Sequence, residues 1–472
     1  MTVAVTTIVD AEVDDERVDV RIEAGRVAAV GPSLDRGGSA VVDAGGGALL
    51  PGLHDHHIHL LAMAAAEGSV RLDDSAAGGP GGLDTTIRAA HGAAPRGRWL
   101  RAVGYEETHG PLDRHRLDRL APGRPVRVQH RSGAMWVVSS PALAALGIDG
   151  EPDAGIERET DGTPTGRLHR LDGLVASRLP RSSPPDLASI GARLAGYGVT
   201  GVTDATPYEQ AGAFAVLGDA RRSGVLPQRI VVTGGPPLAA VAAPDGLDLG
   251  PVKVVVADNA LPTVESLVAA YRAARRAGRT VAVHCVTTVA LVLTLAAWDE
   301  VPALDGDRIE HGSVIPVELI SRLAELGITV VTQPGFVADR GDRYLAEVDA
   351  EDQPHLYRCG SLLDATIGVA GSTDAPFGPA DPWLAMRAAI DRRTATGVPF
   401  GPGEAVDART ALGLFLGPPD RPGGPPRRVV GGAAADLCLL AGPLATALAE
   451  PLAGLVRACW VDGRLAAADP LR

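Results

Sequence analysis

With 472 residues, 46% of them hydrophobic, the chain can bury a large core and is too long for one compact layer pair, so one large and one small domain are expected. A formal net charge of -13 without any Lys/Arg-rich run argues against nucleic acid or an anionic membrane as partner. It leaves a small molecule, with self-association into a homo-oligomer open. The start, MTVAVTTIVDAEVDDERVDV, has neither the basic opening nor the unbroken apolar stretch of a signal peptide, and no apolar run reaches transmembrane length. Cys285, Cys359, Cys438 and Cys459 share no metal-like or disulfide-like spacing, so they read as reduced core thiols of a cytoplasmic protein.

Residues 1–50 carry period-2 patterns (VAVTTIV, VDVRIEAGRVAAVG) broken by Gly and Pro, which predict short antiparallel strands. Ala48–His59 predicts the first strand of the central fold, and the Gly-, Pro- and Arg-rich residues 62–185 read as an insertion after it. From about Gly191, the runs VTGVTDA, QRIVVTG, PVKVVVAD, TVAVHC, RIEHG, ITVVTQP and TIGVAGSTD alternate with helical segments. The clearest helix, ESLVAAYRAARRAG, is closed by Gly278. Parallel strands with crossover helices predict an α/β fold, a (β/α)8 TIM barrel over 51–395. Residues 396–472 return to β character at 435–440 and 455–464, so the two ends are expected to form one small composite β-sandwich.

The first strand contains His54-Asp55-His56-His57-Ile58-His59. Side chains alternate across a strand, so Asp55, His57 and His59 share one face while His54 and His56 share the other. An i, i+2 histidine pair offers two neutral imidazoles to Zn or a similar divalent ion. His284, His311 and Asp374 each end a later strand, the place where a barrel of this kind keeps its chemistry. A histidine at one strand end is usually a hydrogen-bonded core residue; several strand ends converging on metal-ligand types point instead to a metal site.

Lys253, in Pro251-Val252-Lys253-Val254-Val255-Val256, is the only lysine in the chain. Burying its ammonium in a β-branched strand is costly, but a desolvated lysine, unlike arginine, can become a neutral nucleophile. Such an amine can add carbon dioxide to form a carbamate, whose two oxygens can bridge two metal ions. The alternative is an ordinary ion-paired lysine left behind by an arginine-rich composition.

Together PGLHDHHIH, VKVVVADN, His284, His311 and GSTDAPFGPADP resemble the amidohydrolase superfamily, in particular the amidohydrolase family 3 or YtcJ-like branch, from end to end of the chain. The resemblance implies two divalent ions, most simply zinc, held by His57 and His59, by a carboxylated Lys253, by His284 and His311, and by Asp374 as ligand and proton carrier. It also implies a metal-activated hydroxide that cleaves a C–N bond of an amide, N-formyl compound, carbamate or cyclic imide. Gln333, ending VVTQPGF, is a candidate donor to a substrate oxygen or simply a turn residue.

The insertion departs from the family pattern. Arg131-Ser132-Gly133-Ala134 stands where relatives carry Asp-Gly-His, and Ser139-Ser140-Pro141-Ala142-Leu143 where they carry Asn-Ser-x-Ala-Leu, so substrate contacts are not transferable from it. Two rivals remain. A mononuclear deaminase on the same fold would pair His284 with a nearby glutamate, whereas Cys285-Val286-Thr287-Thr288 follows it; an inactive barrel serving as an interaction protein would have lost a ligand.

Overall fold

The predicted first strand is two strands that belong to different sheets. In the computed structural model, which describes residues 5–72, 82–95, 97–180, 185–208, 211–244 and 246–468, Leu49–Pro51 pairs antiparallel with Leu437–Leu440. Gly52 then turns the chain into a parallel sheet as β1, Leu53–Ile58. A Cβ on Gly52 would lie 2.0 Å from the Thr200 side chain, so the switch needs glycine at that point of close approach. Residues 2–4 of the predicted terminal strands, and 73–81, 96 and 181–184 of the predicted insertion, lie outside the described residues.

The architecture is α/β. One parallel sheet runs β1, β2 (Val199–Asp204), β3 (Arg229–Val232) and β4 (Leu247–Leu249). The other runs β5 (Val252–Val255), β6 (Val281–Cys285), β7 (Arg308–His311), β8 (Thr329–Thr332) and β9 (Val369–Gly371). Only Gly250 and Pro251 separate β4 from β5, so the predicted lysine strand is the second half of an interrupted one. Backbone bonds link the sheets at both ends: Lys253 N–H donates to Gly234 O at 3.1 Å, and Asp374 N–H to His57 O at 2.8 Å.

Helices follow the later strands. They are α1 (Val264–Arg276) after β5, α2 (Thr288–Glu300) after β6, α3 (Val317–Leu326) after β7, α4 (Gly335–Glu347) after β8 and α5 (Pro382–Asp391) after β9. Thr263 and Thr287 cap α1 and α2 by accepting from the backbone N–H groups of Ser266 and Ala290. Helix α1 buries Leu267, Val268, Tyr271 and Ala274, and the predicted stop, Gly278, takes φ 67°.

The chain divides into two compact units, residues 1–60 with 187–472, and residues 61–186. In the first, Thr6–Val13, Glu16–Glu23, Arg26–Gly31 and Ala40–Asp43 form one terminal sheet. Leu49–Pro51, Leu437–Leu440, Val456–Val461 and Arg464–Ala468 form another. Ile8, Val20, Ile22, Leu437, Leu439 and Trp460 join the two in one apolar core. The second unit holds its own six-stranded sheet, built from strands of two to six residues and a mixture of parallel and antiparallel ladders. Strands that short, set among Gly and Pro turns, leave little periodic trace in the sequence. No helix of the described residues is long and apolar enough to cross a membrane.

Candidate metal centre

Strand β1 is irregular where it matters. Its register with β2 shifts between Leu53 and His54 and again between Asp55 and Ile58, the kind of bulging that re-aims side chains beside functional sites. The two histidine pairs nevertheless separate as alternation predicts. His54 and His56 have ring centroids 4.5 Å apart, with His54 Nε2 3.0 Å from Thr203 Oγ1. His57 and His59 face the strand ends of the second sheet. His57 and His311 ring centroids lie 4.7 Å apart, and His311 and His284 4.5 Å apart, so the two predicted histidine sets are contiguous.

Asp374 stands between them. Its Oδ1 is 3.2 Å from His59 Nε2 and 3.6 Å from His57 Nε2, and its Oδ2 is 3.9 Å from His311 Nδ1. Ligand atoms of His57, His311 and Asp374 all lie within 4.8 Å of one another. Burial alone would raise the Asp374 carboxyl, but the imidazoles of His59, His57 and His311 around it hold it well below the usual carboxylate range. Burial pushes His57 down to about 3, with the Lys253 charge acting in the same direction, and it lowers His311 too. The cluster therefore offers neutral imidazoles and an ionised carboxylate, the forms that bind metal. Both Asp374 (φ 54°) and His311 (φ 72°) hold left-handed backbone that L-residues seldom adopt; the strand ends are bent to bring these side chains inward.

His57 and His59 are anchored through Nδ1, the nitrogen each turns away from Asp374, and His311 through the Nδ1 that also lies toward Asp374 Oδ2. His57 Nδ1 pairs with Glu310 Oε2, His59 Nδ1 lies 2.8 Å from Thr206 Oγ1, and His311 Nδ1 lies 2.8 Å from Gln333 Oε1. With Nδ1 protonated toward these acceptors, Nε2 keeps its lone pair for a ligand. Glu310 is fully buried; burial would raise it, but the Arg308 guanidinium, whose Nε is 2.7 Å away, leads the charges that hold it well below its ordinary value. Sequence reasoning did not single out Glu310, although two charges at i, i+2 in RIEH were the available signal. It placed Asp55 on the His57 face without giving it a role; Asp55 accepts from Thr373 Oγ1 and from Thr373 N–H at 3.1 Å and so ties the Asp374 loop to β1. Gln333 is fully buried, and its amide engages His311, Ser372 Oγ at 2.9 Å and Val331 O at 3.5 Å.

Lys253 is buried at 8% exposure, and Nζ has no hydrogen-bond partner. Burial lowers its pKa against the opposing charges of Glu310 and Asp374. His57 Nε2 and Asp374 Oδ1 are likewise buried and unpartnered. Three unpaired polar atoms in one cluster, each of a metal-ligand or carbamate-forming type, fit a bound cation and are costly without one. His57→Ala and His59→Ala are each expected to lower metal affinity about tenfold or more, while His54→Ala and His56→Ala, which lie outside the cluster, change it far less. Metal content after dialysis at fixed free zinc measures this; loss of metal from the His54 variant alone would reverse the assignment.

Residues 40–467 match the model of the amidohydrolase family. The chain is 27% identical over 422 residues to "Putative amidohydrolase YtcJ" of Bacillus subtilis strain 168, covering 78% of this chain and 79% of that protein. It is 28% identical over 469 residues to the N-substituted formamide deformylase of Arthrobacter pascens, covering 84% of each. Among solved structures, an uncharacterized metal-dependent hydrolase from Pyrococcus horikoshii OT3 superposes with a TM-score of 0.75 at 19% identity, over 93% of this chain and 97% of that one.

Proposed function

Because the chain belongs to the amidohydrolase family, we propose that it is a metal-dependent hydrolase that adds water across a C–N bond of a small amide, N-formyl compound, carbamate or cyclic imide. In this reading the two parallel sheets are arcs of one (β/α)8 barrel, and the terminal sheets form a β-sandwich. The observation that carries it is the convergence of unpaired, buried His57 Nε2, Asp374 Oδ1 and Lys253 Nζ with His59 and His311. Two divalent ions, most simply zinc, would be held by His57, His59, His284, His311, Asp374 and a carbamate on Lys253, and when bound would supply Lewis acidity to the carbonyl and acidify water.

The chain's own residues do the rest. Asp374, an ionised carboxylate between the histidines, accepts a proton from the attacking water and returns it to the nitrogen as the C–N bond breaks, so that the amide and one water become one acid and one amine. Glu310 and Gln333 are positioning residues: they fix the tautomers of His57 and His311, which is the role we assign to Gln333 in place of substrate contact. Four buried free thiols suit a reducing compartment and support a cytoplasmic location, with a small molecule rather than nucleic acid or membrane as the partner in this reading. The test is hydrolysis of N-formyl and N-acyl compounds by purified protein with its metal counted. About two ions per chain, acid release abolished by chelation and restored by zinc, are expected; undiminished turnover by the metal-free protein would overturn the proposal.

A further inference from the structure

The two histidines that close β1 are held differently. The His57 side chain is 1% exposed and pairs with Glu310, whereas that of His59 is 15% exposed, so packing alone leaves its ring free to turn. Hydrogen bonds hold it instead. The His59 N–H donates to Ala375 O at 2.9 Å, the N–H of the next residue, Leu60, donates to Asp204 Oδ2 at 3.0 Å, and ring Nδ1 meets Thr206 Oγ1. Asp204 Oδ1 in turn accepts from Thr206 N–H at 3.1 Å. One carboxylate at the end of β2 therefore grips both the main chain beside His59 and the residue whose hydroxyl faces its ring.

Asp204 is fully buried, and among the described residues no arginine, lysine or histidine forms an ion pair with it. Its partners are the two N–H groups and the Tyr208 hydroxyl, 3.4 Å from Oδ2. Burial, and after it the Asp204 charge, pushes that phenol well above its ordinary value, so it stays a donor. Burying a carboxylate without a cation is costly unless donors surround it, and an asparagine here would turn its NH2 toward one of those donors. The loop is fixed from both sides. Ala205 N–H donates to Ile58 O of β1 at 2.9 Å. Thr233, fully buried just beyond β3, reaches with its hydroxyl the carbonyls of Asp204 and Thr206 at 3.1 and 3.2 Å, and Gly235 N–H donates to Tyr208 O at 2.8 Å. A Cβ on Gly234 would lie 2.6 Å from that same Tyr208 oxygen, so the close approach needs glycine there. Residues 204–208 thus form a bracket tied to β1 and β3, with the His59 ring held at its edge.

We propose that Asp204 and Thr206 together are positioning residues for the metal centre: the carboxylate fixes the Thr206 hydroxyl and the main chain beside His59, so that the His59 ring keeps its proton on Nδ1 and presents Nε2 toward Asp374. The proposal rests on the metal-dependent hydrolase reading above. Its test is zinc affinity of the full chain, read by competition with a chromophoric chelator, with the melting temperature of the metal-free variants as the control for folding. Thr206→Val, which removes the hydroxyl and keeps the shape, and Asp204→Asn are each expected to weaken zinc binding by about tenfold. Thr206→Ser, which keeps the hydroxyl, is expected to stay near wild type, and the valine–serine contrast decides the matter if Asp204→Asn is unstable. In a His59→Ala background neither change should weaken zinc further, whereas a purely structural role would leave the same loss in place. Long-range proton–nitrogen spectra of histidine-labelled protein should show His59 protonated on Nδ1 in wild type and a mixture of tautomers in Thr206→Val. Unchanged zinc affinity in Thr206→Val, or a loss that persists without His59, overturns the proposal; if zinc-dependent amide hydrolysis is seen at the same time, the hydrolase reading stands. The expected affinity pattern in a protein that hydrolyses none of the amides upholds the bracket and overturns the reaction.

Discussion

Asp374→Asn is expected to keep most of its metal and to lose about 10²- to 10⁴-fold in kcat. Asparagine preserves an oxygen at the Oδ1 position, 3.2 Å from His59 Nε2, so the ligand cage loses charge but not shape. What disappears is a base held ionised inside a buried site, and the amide cannot carry a proton from water to nitrogen. The two measurements are metal content by elemental analysis and single-turnover kinetics. Turnover close to wild type in a fully loaded variant would move the proton carrier to another residue, and the fully buried Glu310 would be the first to examine.

A second large effect is expected at Lys253, where the conservative change is the damaging one. Arginine keeps the positive charge yet stays protonated at any workable pH, and so cannot take up carbon dioxide. Lys253→Arg should retain less metal and lose about a thousandfold or more in kcat/KM, the scale on which loss of charge stabilisation at a reacting centre is felt. Lys253→Ala leaves a cavity in place of the side chain, and a small carboxylic acid such as acetate or propionate is expected to restore part of its metal and activity. The carboxyl group itself should appear in the mass of gently handled, metal-loaded wild type and vanish on acidification. Full metal and activity in the Lys253→Arg variant would show that burial of Lys253 serves packing alone. The chemistry is finely set: burial favours the neutral amine that reacts with carbon dioxide, Glu310 and Asp374 oppose it, and Arg308 offsets part of Glu310's influence.

The site was legible because strand-end histidines and aspartates have little other reason to follow apolar β-rich runs. His57, His59, His311 and Asp374 come together as that reasoning predicts, and Lys253 was visible through composition. The residues that hold them were less visible, for a physical reason. Glu310 and Gln333 act by pairing with side chains more than twenty positions away, and a single sequence carries no record of such partners. The break at Gly52 escaped because an apolar run crossing from one sheet to another looks like one long strand.

That break ties the earliest and latest parts of the chain to the histidine strand. Leu49, Leu50 and Pro51 lie in register opposite Leu439, Cys438 and Leu437, and β1 with its His57 begins immediately after Gly52. A ribosome releases the N-terminal partner long before the C-terminal one, so β1 has no fixed start until almost the whole protein has been made, and closing so long a loop is entropically slow. A chain clipped before Leu437 would carry the His-rich segment without the strand that frames its start, and is expected to load metal poorly.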